Sequence, residues 1–418
     1  MILSKLAQRI ETSPIITLAA EINEKIARGE TFYNLTIGDF NPKVFPIPEK
    51  LRDAIIQAYN DGETNYPGAI GVANLRKAIS GYLAHFGDMH FDPADILVAS
   101  GGRPLIYAAY LSIVDHGEKV IYPAPSWNND HYTYLTEAEG VVLETDADNF
   151  FMPTVEALEP HIKDAVLLAL CSPLNPTGTV LSKERLEAIC DMVLTENKRR
   201  GPNQKPLYVM MDQIYWPLSY GSTKHYNAVT LRPEMRDYCV FVDGASKAFA
   251  GTGLRLGWGY GPQPIMAKMR SVVAHMGAWA PRAGQVACGN FLADIPAVEE
   301  YLNRFRGELE KRLVGFYKGF TALKAKGYNV DAIEPQAAMY LTVKMDLTGM
   351  KTSDGTVLHT NKEVHRYILD EAHVGLVPFA YFGASESSPW YRLSVGTAKL
   401  EEVEIIISNL DKAIGKLH

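Results

Sequence analysis

Several things are scarce in this chain of 418 residues. It has four cysteines, Cys171, Cys190, Cys239 and Cys288, and no C-x-x-C pair among them. That removes the usual signature of a disulfide framework or a cysteine metal site, and the thiols read as reduced and mostly buried. Basic residues are outnumbered, 41 Lys and Arg against 48 Asp and Glu, for a net charge of −7. With no long basic run either, a nucleic-acid partner is not expected. No stretch approaches 18 uninterrupted apolar residues, so no membrane span is expected. Met1-Ile2-Leu3-Ser4-Lys5 lacks a signal-peptide layout, since Lys5 and Arg9 interrupt the apolar residues early. A reducing, cytoplasmic location is the expectation. There is no internal repeat, no low-complexity segment and no metal-ligand pattern.

What is there has the profile of a folded globular protein, with 47% hydrophobic and 21% charged residues. The length exceeds one ordinary core and points to two domains. Residues 4–29 show helical apolar spacing, split at Pro14 with the longer helix after it. A strand is predicted at 32–37, a helix from Pro48 to Tyr59, a turn at Asn65-Tyr66-Pro67-Gly68 and a helix over 72–86. From Asp95 the pattern alternates. Apolar runs at 96–99, 119–122, 141–143, 165–171, 207–211 and 239–242 read as strands. Helices over 104–114 and from the N-cap Ser182 to Asn197 fall between them. Buried strands alternating with helices mean an α/β domain with a mainly parallel sheet covered on both faces. After Pro281 the character changes. Residues 284–325 look helical almost throughout, then come strands at 339–343 and 391–395 and helices at 361–373 and 399–415, a smaller α+β domain. The expected division is 1–45, an arm and helix belonging partly with the small domain; 46–290, the large domain; and 291–418, the small domain.

One stretch organises the chemistry. The strand at 239–242 ends in a small-residue turn, Lys247 follows, and a loop punctuated by Gly251 and Gly253 leads to Arg255. The loop is not a dinucleotide fingerprint, because Leu256 takes the place of the third glycine. A lysine just past a strand end sits where open α/β sheets place ligands. A buried amine sheds its proton and attacks carbonyls. Arginine is a permanent, planar fork suited to phosphate. Carbonyl chemistry beside a phosphate anchor suggests pyridoxal phosphate held as a Schiff base. Alone, Lys247 reads more readily as a structural or surface charge.

Other polar signals also follow strand ends. Gly101-Gly102-Arg103 opens a helix whose N–H groups would face an anion, or is a simple tight turn. Ser172-Pro173-Leu174-Asn175-Pro176-Thr177-Gly178 presents Asn175 rigidly, or is an ordinary turn. Asp212 needs a cation, such as a protonated pyridine nitrogen, or caps a helix. Trp127 stacks on a flat cofactor, or packs in the core. Arg392, in a strand-like run, needs an anion: a substrate carboxylate or a structural aspartate.

Taken together, Asn175-Pro176-Thr177-Gly178, Asp212-Gln213-Ile214-Tyr215, Ser246-Lys247 with Arg255 and Tyr391-Arg392-Leu393-Ser394 resemble the fold-type I, class I/II pyridoxal-phosphate aminotransferases, on the aspartate aminotransferase-like branch. The resemblance runs from Ile37-Gly38 to Arg392. It implies a seven-stranded, mainly parallel sheet in the large domain. It implies that Lys247 forms the Schiff base and moves the proton, that Asp212 pairs with the pyridinium nitrogen, and that Tyr215 and Asn175 hydrogen-bond the cofactor's 3-oxygen. Arg255 and the backbone of Gly102 and Arg103 would hold the phosphate, and Trp127 would stack on the ring. Arg392 would clamp the substrate α-carboxylate, helped by Asn175 and the backbone of Gly38. Tyr66 would reach the neighbouring subunit's phosphate, so a homodimer is implied. The family usually carries a hydroxyl residue three before the lysine. Here it is Gly244, so either Ser246 substitutes or one phosphate hydrogen bond is missing. Arg103 stands where one aspartate aminotransferase subgroup has a lysine for the distal carboxylate. The expected substrates are therefore an acidic amino acid, aspartate first, and a 2-oxo acid such as 2-oxoglutarate. Alternatives are an aromatic or broad-specificity aminotransferase, or a lyase on the same fold.

Overall fold

The computed structural model describes residues 3–10 and 12–418; Met1, Ile2 and Glu11 lie outside the described residues, and with them the first two positions of the N-terminal stretch. The alternating apolar runs build a sheet of seven strands. These are β1 (Ile96–Ala99), β2 (Lys119–Ala124), β3 (Glu139–Glu144), β4 (Ala165–Cys171), β5 (Tyr208–Asp212), β6 (Cys239–Gly244) and β7 (Gly257–Tyr260). Their order across the sheet is β1-β7-β6-β5-β4-β2-β3. Every pair is parallel except those made by β7, which runs antiparallel to β1 and β6. The runs are continuously apolar because side chains alternate between two covered faces. In β1, Ile96 and Val98 enter one core with Tyr82 and Ile189, while Leu97 and Ala99 enter another with Leu105 and Met269. Helices Ala73–Gly87 and Lys183–Arg200 supply the first core, and Gly102–Ile113 and Gln263–His275 the second.

β7 lies outside the strands predicted from the apolar runs. Two of its four residues are glycines, so it shows no apolar run. Close backbone approach demands them: a Cβ on Gly257 would strike the Gly101 carbonyl, and one on Gly259 would lie 3.2 Å from the Phe241 carbonyl oxygen.

The chain after this sheet forms a second one, of four antiparallel strands in the order Val377–Pro378, Trp390–Ser394, Tyr340–Met345, Val330–Ala332. The helix expected over 284–325 is two, Arg282–Ala293 and Ile295–Ala325. Asp294 divides them, its carboxylate accepting from the Ala297 N–H at 3.3 Å. The strand expected at 32–37 shrinks to Tyr33–Asn34, paired in parallel with Val374–Gly375. Beyond Leu35 the backbone carbonyls serve side chains instead of a ladder. Thr36 accepts from Arg392 Nη2 at 2.6 Å, Ile37 from Ser394 Oγ at 2.7 Å, and Gly38 from Lys247 Nζ. Pro14 does divide the N-terminal stretch, into Lys5–Arg9 and Pro14–Ala27, and sits at the first position of the longer helix. Pro48 stands just outside its helix, Glu49–Asn60, rather than in its first turn. Among the described residues no helix is long and apolar enough to cross a membrane, and no cluster of His, Cys, Asp or Glu could hold a metal ion.

Candidate active site

With β7 reversed, β1, β2, β4, β5 and β6 run in one direction, and the loops leaving their C-terminal ends border one cavity of about 540 Å³. This is where open α/β sheets bind ligands. Gly38, Gly102, Arg103, Trp127, Asn175, Asp212, Tyr215, Ser246, Lys247, Arg255 and Arg392 all line it. Tyr66 does not. It is 82% exposed, with its ring edge-on to Trp279 at 5.5 Å.

One end of the cavity is built for an anion. Gly101 has a φ of 96° and no side chain to cap the helix Gly102–Ile113, so the first N–H groups of that helix are left free of a side-chain partner. A Cβ on Gly101 would collide with the Arg255 guanidinium, so the glycine leaves room for it. That guanidinium is tied to carbonyls, Nη1 to Thr252 at 2.8 Å and Nη2 to Ser100 at 3.1 Å. Among the described residues it has no acidic partner, so its charge stays available. Gly244 cannot carry the hydroxyl that the family usually has there. A Cβ would lie 2.7 Å from the Leu256 carbonyl oxygen and 2.9 Å from Gly257 Cα. Ser246, one residue before the lysine, does border the cavity.

Lys247 stands on the short helix Ala245–Ala248 that leaves β6. Its Nζ donates to the Gly38 carbonyl and lies 5.7 Å from the Phe40 ring and 5.8 Å from the Tyr215 ring. Burial pushes its pKa down to about 8, against the pull of Asp39; the cations Arg392, Arg103 and Arg255 add to the depression. A neutral amine is thus accessible near neutral pH. Asp212 ends β5 with one local donor, the Ile214 N–H at 3.1 Å. Burial pushes its pKa up to about 6, and that N–H and the Lys247 charge offset only part of the rise. A carboxylate in this state gains from a cation placed in the cavity.

At the other end Arg392 is 2% exposed on the strand Trp390–Ser394. It is sandwiched between the rings of Tyr340 and Phe382, at 4.7 and 4.9 Å. It donates to Thr36 O and, at 2.9 Å, to Asn175 Oδ1. Its Nε has no partner, and no carboxylate pairs with it among the described residues. A buried guanidinium without an anion lacks what such groups normally require. Arg103 is exposed, its guanidinium 5.2 Å from the Trp127 ring, and it forms no ion pair among the described residues.

Some lining residues escaped the sequence reading. Tyr340 bonds Tyr215 hydroxyl to hydroxyl at 2.7 Å. Its only signal was a place in a strand-like run. Asp39 accepts from Thr252 Oγ1 at 2.5 Å and faces Lys247. Ile15, Ile16 and Ala19 bring the N-terminal helix against the cavity. Ile16, 61% exposed on an amphipathic helix, is the residue whose position could have drawn attention.

An amine near neutrality, a carboxylate short of a cation, an anion cradle and a buried guanidinium share one cavity. That set fits pyridoxal phosphate, which carries a carbonyl, a basic ring nitrogen and a phosphate. The fold is that of the fold-type I enzymes. The structure superposes on the crystal structure of the aspartate aminotransferase from Rhizobium meliloti with a TM-score of 0.89 over all of both chains, at 24% identity. A "Probable aspartate/prephenate aminotransferase" of Rickettsia bellii is 28% identical over the full length of both chains. The "Aspartate aminotransferase" of Geobacillus stearothermophilus is 28% identical, covering 99% of this chain and 98% of its own. The family model for aminotransferases of class I and II matches residues 30–410. The chain belongs to that family and is a pyridoxal-phosphate-dependent aminotransferase.

Proposed function

We propose that this aminotransferase takes an acidic amino acid, aspartate first, as donor and a 2-oxo acid such as 2-oxoglutarate or oxaloacetate as acceptor. The observation that carries this reading is a pair of cations on one cavity with no carboxylate of their own among the described residues, buried Arg392 and exposed Arg103. A dicarboxylate would satisfy both. The relatives' names agree with it. Ile15, Ile16 and Trp127, which border the same cavity, favour a second reading, in which bulkier apolar side chains are also accepted.

The residues divide the work. Bound, pyridoxal phosphate supplies an electron sink for the bond broken at the substrate's α-carbon. Arg255, Ser246 and the N–H groups of Gly102 and Arg103 hold its phosphate. Trp127 stacks on its ring. Asp212 keeps the ring nitrogen protonated, and Tyr215 and Asn175 hydrogen-bond its 3-oxygen. Arg392, with Asn175 and the Gly38 backbone, fixes the α-carboxylate. Lys247 is the covalent anchor, and as a neutral amine it takes the α-proton and returns it.

We assign 46–290 to the cofactor-binding domain and 291–418 to the small one. The pairing of Tyr33–Asn34 with Val374–Gly375 supports placing part of 1–45 with the latter. We further infer a homodimer in the cytoplasm. Tyr66, exposed and outside its own chain's cavity, is the residue assigned to the neighbouring subunit's phosphate.

The test compares Arg103→Ala with the parent on aspartate, glutamate, tyrosine and alanine. Loss of a charge-assisted contact should lower kcat/KM roughly ten- to a hundredfold on the two dicarboxylates and far less on alanine. An equal loss on all four overturns the acidic-donor reading. Borohydride reduction followed by peptide mapping tests the anchor, and an adduct on any lysine but Lys247 rules it out.

A further inference from the structure

Tyr340 belongs to the four-stranded sheet, yet its side chain ends in the cavity formed at the strand ends of the seven-stranded sheet. Three contacts meet there. Its hydroxyl pairs with Tyr215 Oη at 2.7 Å. Its ring lies under the Arg392 guanidinium at 4.7 Å. Its hydroxyl would be 2.9 Å from a Cβ on Gly38, so residue 38 is glycine where Tyr340 passes. The backbone around it is bolted to the Asn175 loop. Thr342 Oγ1 donates to Thr177 O at 2.7 Å, and Ala337 N to Gly178 O at 2.9 Å. A Cβ on Gly178 would strike the Tyr340 carbonyl oxygen. Asn175 in turn accepts from Arg392. Tyr340 therefore closes a ring of contacts that joins the carboxylate clamp to Tyr215.

We propose that Tyr340 is a positioning residue that acts through Tyr215. The proposal rests on the reading that Tyr215 donates to the cofactor's 3-oxygen. Tyr215 has one hydroxyl proton. If that proton goes to the 3-oxygen, the hydroxyl pair must run the other way, with Tyr340 donating to Tyr215 Oη. A phenol that accepts a hydrogen bond is a stronger donor in its turn. The Tyr340 hydroxyl thus does two things: it aims the Tyr215 proton at the cofactor, and it strengthens that donation. The charged and titratable groups around the pair are Arg392 from Trp390–Ser394, Cys171 from β4, Lys247 from Ala245–Ala248 and Asp39 from the Gly38 turn. None of them donates a hydrogen bond to either tyrosine hydroxyl among the described residues.

The readout is the pH midpoint of the visible absorbance of the bound cofactor, measured on the holoenzyme without substrate. A donor on the 3-oxygen draws negative charge away from the neighbouring protonated nitrogen and lowers that midpoint. Tyr215→Phe should raise it. Tyr340→Phe, which keeps the ring on Arg392, should raise it less, by roughly 0.4 to 1 on the pH scale, as expected for one neutral hydrogen bond. The double variant should match Tyr215→Phe alone, since Tyr340 acts only through that hydroxyl. A Tyr340→Phe midpoint equal to the parent's, with Tyr215→Phe shifted, overturns the role of Tyr340 and leaves that of Tyr215 standing. Additive shifts in the double variant also overturn it, because Tyr340 would then act by another route. No shift in Tyr215→Phe removes the reading beneath the proposal, and the proposal with it.

Discussion

Asp212 and Asp243 lie at the ends of neighbouring strands, and both are carboxylates taken out of water. Their surroundings differ. Asp243 is 1% exposed and fully served: Oδ2 accepts from the Trp216 and Trp258 indoles at 2.7 and 3.2 Å, and Oδ1 from the Gly244 N–H at 2.7 Å. Asp212 has one backbone donor and opens on the cavity. Two buried arginines repeat the contrast. Arg312 meets Glu308 at 3.0 Å and the Ala398 carbonyl at 2.8 Å. Arg392 has carbonyl and amide partners, no acid among the described residues, and an unpartnered Nε. Burial alone does not mark a working residue. What marks it is a need that the protein leaves unmet, which a ligand then meets.

The comparison can be broken with paired substitutions. Asp212→Asn should cost several orders of magnitude in transamination, because the lost charge acts mainly on the transition state. In the cofactor-free protein the same change should leave the thermal midpoint at or above the parent's, as a poorly served buried charge is removed. Asp243→Asn should reverse the pattern. Its amide cannot accept at both oxygen positions, so at least one indole or the Gly244 N–H is orphaned, costing about 1–3 kcal/mol of stability. Activity should fall far less than in Asp212→Asn. Denaturation curves and steady-state rates on both variants decide it; equal damage to rate in both would erase the distinction.

The arginines should separate in the same way with a smaller effect. Arg392→Met should raise KM for every amino acid, about ten- to a hundredfold, the loss of a charge-assisted contact. Stability should fall less than in Arg312→Met, since removing a buried cation with no acid among the described residues offsets the donors lost by the Thr36 carbonyl and Asn175 Oδ1. Arg312→Met should instead lose about 1–3 kcal/mol of stability, since the Ala398 carbonyl loses its side-chain donor and Glu308 keeps only Lys311, with little change in KM. A rise in KM confined to dicarboxylates in Arg392→Met would mean that it binds the distal and not the α-carboxylate.

One side of this contrast is legible in the sequence. Asp212, Asn175 and Lys247 each follow an apolar run long enough to be read as a strand, so the runs alone place all three at one edge of a parallel sheet. Arg392 stands out as a charge inside such a run. The other side is hidden. Asp243 follows the same run as Lys247, but nothing local says that Trp216 and Trp258 will converge on it. Tyr340 acquires meaning only from Tyr215, 125 residues away in sequence. β7 carries two glycines in four residues, and the segment after Leu35 looks like a strand but spends its carbonyls on Arg392, Ser394 and Lys247. Periodicity reports which face a residue takes, and it does not report which distant partner waits there.

The finest separation of the two carboxylates is in pH. Burial pushes the Asp243 pKa up to about 7 in spite of its three donors, and that of Asp212 up to about 6, from an ordinary value of 3.8 in each case. Between about pH 4 and those values the folded protein binds more protons than the unfolded chain. Each group therefore makes stability fall as pH rises through its window, by at most about 1.4 kcal/mol for each pH unit. In the cofactor-free protein Asp243→Asn should flatten the fall up to about pH 7, and Asp212→Asn only up to about pH 6. Loading the cofactor sharpens the difference. A cation paired with Asp212 lowers its pKa and removes its part of the slope, whereas Asp243, sealed behind the two indoles, keeps its own. Urea midpoints from about pH 4.5 to 7.5, with and without cofactor, measure this. A slope that cofactor leaves unchanged in the parent would show that Asp212 gains no cation from it, and the two carboxylates would then be the same kind of residue.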